Sequence, residues 1–131
     1  MYEIKRYNQS YNQKINDFIE SIYIDEFGFE EHREIIKNQD NNEYIKQGGT
    51  FLLATDEDDN IIGTIAIMRN NDENVELKRL YVRKDYRGQG VSVALYDEIL
   101  KVCRENNYRK IFLGTFEKME KAIKFYIKRR I

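Results

Sequence analysis

The run Arg87-Gly88-Gln89-Gly90-Val91-Ser92 combines residue types suited to holding an anion. Two glycines one residue apart permit left-handed backbone and keep side chains away while main-chain N–H groups approach a charged ligand. If a helix begins directly after them, its first N–H groups lack intrahelical partners and sit at the positive end of the helix dipole. A phosphate or pyrophosphate binds well there. The run is not a Walker loop, because no Gly-Lys-Ser/Thr is present, and it lacks the G-x-G-x-x-G of dinucleotide folds. On their own the two glycines also suit an ordinary strand-to-helix turn.

Such a cradle needs a strand before it and a helix after it, and the flanking sequence supplies both. Val75, Leu77 and Tyr81 alternate with polar Glu76 and Lys78, which predicts a strand ending near Val82. Val91, Ala94, Leu95, Ile99, Val102 and Cys103 fall on one face of a helix running to about Asn106. Upstream, the apolar runs 51–55 and 61–68 flank the polar turn 56–60, and 70–73 is a second turn, so three antiparallel strands are expected. Ile15, Phe18, Ile19, Ile22 and Tyr23 predict an amphipathic helix over 11–27, with a short second helix over 30–38. Residues 110–115 read as a strand, and Met119, Ala122, Ile123 and Tyr126 share a face of a final helix. The order is helices, a strand meander, then helix, strand, helix. That is an α/β or α+β domain, with a parallel strand pair where the long helix joins the meander to the later strand.

With those elements in place, two motifs match one family. Arg87-Gly88-Gln89-Gly90-Val91-Ser92 resembles the Arg/Gln-x-x-Gly-x-Gly/Ala signature of GNAT N-acetyltransferases, and the preceding Glu76-Leu77-Lys78-Arg79-Leu80-Tyr81-Val82 resembles that family's strand. Ser92 departs from the signature, but a small hydroxyl residue is favoured at a helix start. Ala122-Ile123-Lys124-Phe125-Tyr126-Ile127-Lys128 resembles the family's A-x-x-F-Y-x-K. The resemblance covers residues 50–128 and implies the acyl-CoA N-acyltransferase fold, a mixed, mostly antiparallel sheet with flanking helices. It implies acetyl-coenzyme A as co-substrate, with Leu80, Tyr81 and Val82 along the pantetheine arm and thioester and Arg87, Gly88, Gln89, Gly90, Val91 and Ser92 around the pyrophosphate. Tyr126 is the general acid that it implies. Glu76 stands where some members carry a general base; its other reading is a solvated carboxylate beside Lys78. The acceptor would be a primary amine of a small molecule or peptide, attacking directly in a ternary complex.

Composition bounds the alternatives. At 131 residues and 41% hydrophobic content the chain suits one domain. The absence of an apolar run near 20 residues, or of a secretory h-region, argues against membrane insertion and for a cytoplasmic location. One cysteine, Cys103, and one histidine, His32, supply neither a disulfide nor a metal cluster, so no metal is expected. Cys103 lies on the apolar face of the long helix and reads as a buried structural thiol. Residues 1–100 carry 12 Lys and Arg against 20 Asp and Glu, and residues 101–131 carry 10 against 3. This basic end lacks the aromatic interleaving or signatures of nucleic-acid binders, and no nucleic-acid partner is expected.

Members of the resembled family usually continue beyond the tyrosine motif with Gly-Phe and further strands, whereas here Lys128 is followed by Arg129-Arg130-Ile131. The expectation is a sheet lacking its C-terminal strands. Its 110–115 edge would invite pairing in a homodimer. The alternative function under that expectation is a catalytically weak coenzyme-A-binding or interaction module.

Overall fold

The computed structural model describes residues 1–26 and 28–113. The expected final helix, and Tyr126 with it, lie outside the described residues. Among the described residues five strands form one sheet in sequential order: β1 (Glu3–Arg6), β2 (Thr50–Thr55), β3 (Ile61–Arg69), β4 (Asn74–Val82) and β5 (Lys110–Leu113). The first three pairings are antiparallel and β4 pairs with β5 in parallel. The chain makes that parallel return through a long helix, α4 (Val91–Glu105), as a crossover requires.

β3 is buried continuously from Ile61 to Ile67 because helices cover both faces of the sheet. On one face Val91, Leu95, Ile99, Val102 and Cys103 of α4 pack with Leu52, Ile65, Ile67, Val75 and Leu77. On the other, Ile15, Phe18 and Ile19 of α1 (Asn12–Glu20) pack with Phe51, Leu53 and Ala66. Two short helices, α2 (Arg33–Lys37) and α3 (Asn42–Lys46), extend that second layer through Ile36 and Tyr44. The segment between α2 and α3 is fastened to α1 by amides. Asn41 Nδ2 donates to Asn12 Oδ1 and Asn16 Oδ1, both at 2.8 Å, and Asn16 Nδ2 donates to the Gln39 carbonyl at 2.8 Å.

Three sequence expectations need correction. The meander has a fourth antiparallel member, β1, whose charged residues hid it at the sheet edge. The helix expected over 11–27 is α-helical only to Glu20 and continues as a π-helical segment, Ser21–Glu26. Tyr81 does not share a face with Val75 and Leu77. The β3–β4 register shifts between Thr64 and Ala66, so β4 carries an extra residue where Arg79 takes φ 57°. A bulge of this kind reverses which alternate residues face each side. Val75 and Leu77 lie in the α4-side core before it and Val82 after it, while Tyr81 packs on the α1 side.

Candidate functional site

β4 leads through a 3₁₀ turn (Lys84–Tyr86) into the glycine loop and then α4. Gly88 and Gly90 have φ of 78° and 85°, and among the described residues a Cβ on either would meet no atom within 4 Å, so the backbone there is uncovered by them. Gly90 caps α4 without a side-chain bond, and the Ala94 N–H donates to its carbonyl at 3.0 Å. The Val91, Ser92 and Val93 N–H groups precede that bond and point out of the helix start. Gln89 Nε2 braces the loop from within, donating to the Asp85 carbonyl at 2.8 Å.

Arg87 is fixed on both sides. Its Nε donates to the Val82 carbonyl at 2.9 Å, and its Nη2 donates to Glu26 Oε2 at 2.7 Å while Nη1 engages the other carboxylate oxygen. The hydrogen-bonded guanidinium holds the Glu26 carboxyl below its ordinary range, and the carboxylate raises Arg87 in turn. This fork joins the π-helical segment to the loop across 61 residues of sequence.

Leu80, Tyr81 and Val82 form the end of β4. On the β3 side Tyr81 pairs with Thr64 and Val82 with Gly63. On the β5 side the ladder runs only from Asn74 to Leu77, so among the described residues the end of β4 has no strand neighbour there. The Tyr81 ring meets Tyr23 edge-on at 6.4 Å, and burial pushes its hydroxyl up to about 12.

Glu76 stands before the bulge, half-buried, with Lys78 Nζ 3.5 Å from its carboxylate. Lys78 borders a depression of about 190 Å³ shared with Gln39, Glu43, Tyr44, Gln47 and Met68 on the α1 side of the sheet. The structure thus gathers the end of β4 and the glycine loop at one place and sets Glu76 earlier on the same strand. Cys103 is fully buried, with its thiol pushed up to about 11 by that burial.

A model of the acetyltransferase (GNAT) family matches residues 13–130, nearly the whole chain. The chain belongs to the GNAT family. An acetyltransferase of that family from Staphylococcus aureus Mu50 superposes with a TM-score of 0.86 at 34% identity, covering 98% of this chain and 82% of that one. An acetyltransferase from Clostridium acetobutylicum, solved with acetyl-CoA, has a TM-score of 0.77 over 96% of this chain and 88% of its own. At 18% identity that second likeness speaks to the GNAT fold alone. By sequence, an uncharacterised N-acetyltransferase of Mycobacterium tuberculosis is 30% identical over 86 residues, covering 66% of this chain and 55% of that protein. An N-acetylaspartate synthetase of Xenopus tropicalis is 34% identical over 84 residues, 63% of this chain and 31% of that protein. The chain thus spans about half the length of the mycobacterial relative, and less of the synthetase.

Two residues of the site escaped the sequence reading. Nothing local links Glu26 to Arg87. Arg79 had a signal: the apolar pairs Val75/Leu77 and Leu80/Val82 are out of phase by one residue, which marks a bulge between them.

Proposed function

We propose that this GNAT chain transfers the acetyl group of acetyl-coenzyme A to a primary amine of a small molecule or peptide by direct attack in a ternary complex. The observation that carries the reading is the pair of left-handed glycines at the start of α4, beside a strand end that among the described residues has no neighbour on its β5 side. The residues fit the cofactor. Residues Arg87 to Ser92 offer converging N–H donors to a pyrophosphate, and Leu80, Tyr81 and Val82 offer strand backbone to the pantetheine amides. Main-chain donors at the thioester oxygen would stabilise the oxyanion formed on attack, a contribution worth on the order of 10²-fold in rate per donor.

An alkylammonium has a pKa near 10.4 and must lose a proton before it attacks. Glu76 is assigned that proton. Tyr126 is assigned protonation of the departing thiolate. The synthetase relative makes N-acetylaspartate by name, so amino acids belong in the acceptor panel beside polyamines, aminoglycosides and peptides. Among the described residues no helix is long and apolar enough to cross a membrane, and a cytoplasmic location is part of the proposal.

Thiol release from acetyl-coenzyme A in the presence of each amine tests the reading. Tyr126→Phe should lower kcat by about 10²-fold while coenzyme A affinity stays nearly intact, as expected for a lost general acid. Release no faster than without amine across the panel would reduce the chain to a coenzyme-A-binding module, and an unchanged kcat would remove Tyr126 from the chemistry.

A further inference from the structure

Glu76 and Lys78 stand on the α1 side of the sheet. Across β3, Glu76 pairs with Met68 and Lys78 with Ala66, and both of those partners belong to the α1-side layer. The depression of about 190 Å³ borders Glu76 through two of its lining residues. One is Met68, the cross-strand neighbour of Glu76, and the other is Lys78, whose Nζ is 3.5 Å from the Glu76 carboxylate. The remaining wall comes from the segment 39–47, through Gln39, Glu43, Tyr44 and Gln47. A cavity thus opens directly beside the carboxylate assigned to the acceptor's proton.

A base must touch the nitrogen whose proton it takes. With Glu76 in that role, the acceptor nitrogen is seated at its carboxylate and the rest of the acceptor extends into the adjoining depression. Lys78 then discriminates. An ammonium arriving at Glu76 takes the carboxylate away from Lys78 and sets two like charges side by side, each disfavouring the other. An α-amino acid carries a carboxylate on the carbon that bears its nitrogen, and this removes the conflict. Its ammonium takes Glu76, its carboxylate takes Lys78, and all four charges stay matched in a half-buried site. A diamine offers nothing to Lys78. Glu43, the other carboxylate on the lining, already faces Lys46 at 3.4 Å.

We infer that this depression is the acceptor pocket and that Lys78 is its specificity-determining residue, selecting α-amino acids over simple amines and diamines. The inference rests on the acetyl-transfer reading with Glu76 as base, and its test separates the two.

Thiol release is measured with L-alanine, L-leucine and L-glutamine, each against its α-amide, and with putrescine, in the parent and in Lys78→Gln. Acid and amide differ in amine basicity, so the quantity read is the change in their kcat/KM ratio between the two proteins, in which that difference cancels. For the best pair the acid-to-amide ratio should fall by about tenfold or more in Lys78→Gln, because the acid loses its partner and the amide is relieved of a like charge. Lys78→Arg, which keeps the charge, should retain most of the preference. Both variants should melt cooperatively close to the parent temperature, as expected for a half-exposed side chain. A second arm reads the pocket without turnover. The three acids are added in turn to the coenzyme A complex, and at least one should shift the Met68 methyl resonance, assigned by Met68→Leu, saturably and more tightly than its amide. Lys78→Gln should erase that difference. A ratio unchanged by Lys78→Gln, putrescine turned over faster than every amino acid, or a Met68 methyl indifferent to all three acids overturns the assignment. No turnover of any amine together with a Lys78-dependent Met68 shift overturns acetyl transfer and leaves the pocket standing.

Discussion

At the scale of single residues, the proposed pyrophosphate contact of Arg87 would compete with Glu26 for the same guanidinium. If Arg87 contacts the cofactor, the fork to Glu26 must open first, and the closed fraction lowers the apparent affinity in proportion. Glu26→Gln should therefore tighten coenzyme A binding by about threefold or more, and Arg87→Gln should weaken it, both read by calorimetry. A weaker complex for Glu26→Gln would mean that Arg87 serves by bracing the loop. The same pair sets a pH dependence. The folded-state pKa of Glu26 is depressed, so the bridge contributes above the unfolded value near 4.3 and is lost as pH falls through the lower folded value. Melting midpoints of Glu26→Gln should fall below those of the parent at neutral pH and converge with them in acid.

At the scale of elements, two glycine sites make opposite predictions. Gly49 enters β2 with no room: a Cβ there would lie 2.0 Å from the Ile67 carbonyl oxygen and 2.8 Å from that of Tyr44. Gly49→Ala should cost about 3 kcal/mol or more, because backbone on two sides must move. Gly90 has space, and its constraint is conformational. Gly90→Ala should cost about 1–2 kcal/mol from left-handed strain, Gly90→Asn less, and denaturant melts of the three variants decide the order. The same contrast separates what the sequence disclosed from what it hid. β2 and β3 were legible because burial on both faces writes a continuous apolar run, and β4 and α4 because one buried face writes a periodic one. β1 was not, since Glu3 and Arg6 are exposed and only the inner pair is half-buried. α3, at five residues, is too short to show a helical period. The glycine loop was legible through residue type, whereas the bulge at Arg79 was read through, its phase slip passing for plain alternation. The fork between Glu26 and Arg87 depends on tertiary placement, which local pattern does not encode.

For the whole molecule, the cofactor proposal predicts linkage between binding and folding. A ligand taken up only by the folded chain stabilises by RT ln(1 + [L]/Kd), about 2.7 kcal/mol at 100 times Kd. For a chain of this length that should raise the melting midpoint by on the order of 10 °C. Gly88 and Gly90 replaced together by valine should melt at nearly the same temperature with and without coenzyme A. A parent midpoint unmoved by millimolar coenzyme A would refute the cradle. Self-association is a separate expectation. Among the described residues β5 closes one side of the sheet, and Phe112 on it is 49% exposed. Sedimentation across a concentration series should show a dimer that Phe112→Lys weakens.

The π-helical segment Ser21–Glu26 has a consequence for descent. Such a segment holds one residue more than an α-helix needs to cover the same ground, the usual trace of a single-codon insertion. Removing that residue would close the segment to a regular α-helical turn and re-aim the side chains within it, position 26 among them, relative to the loop. Lineages of this family with a one-residue gap between α1 and α2 should therefore have lost the acidic partner of the loop arginine, and the gap and the charge should come and go together in an alignment.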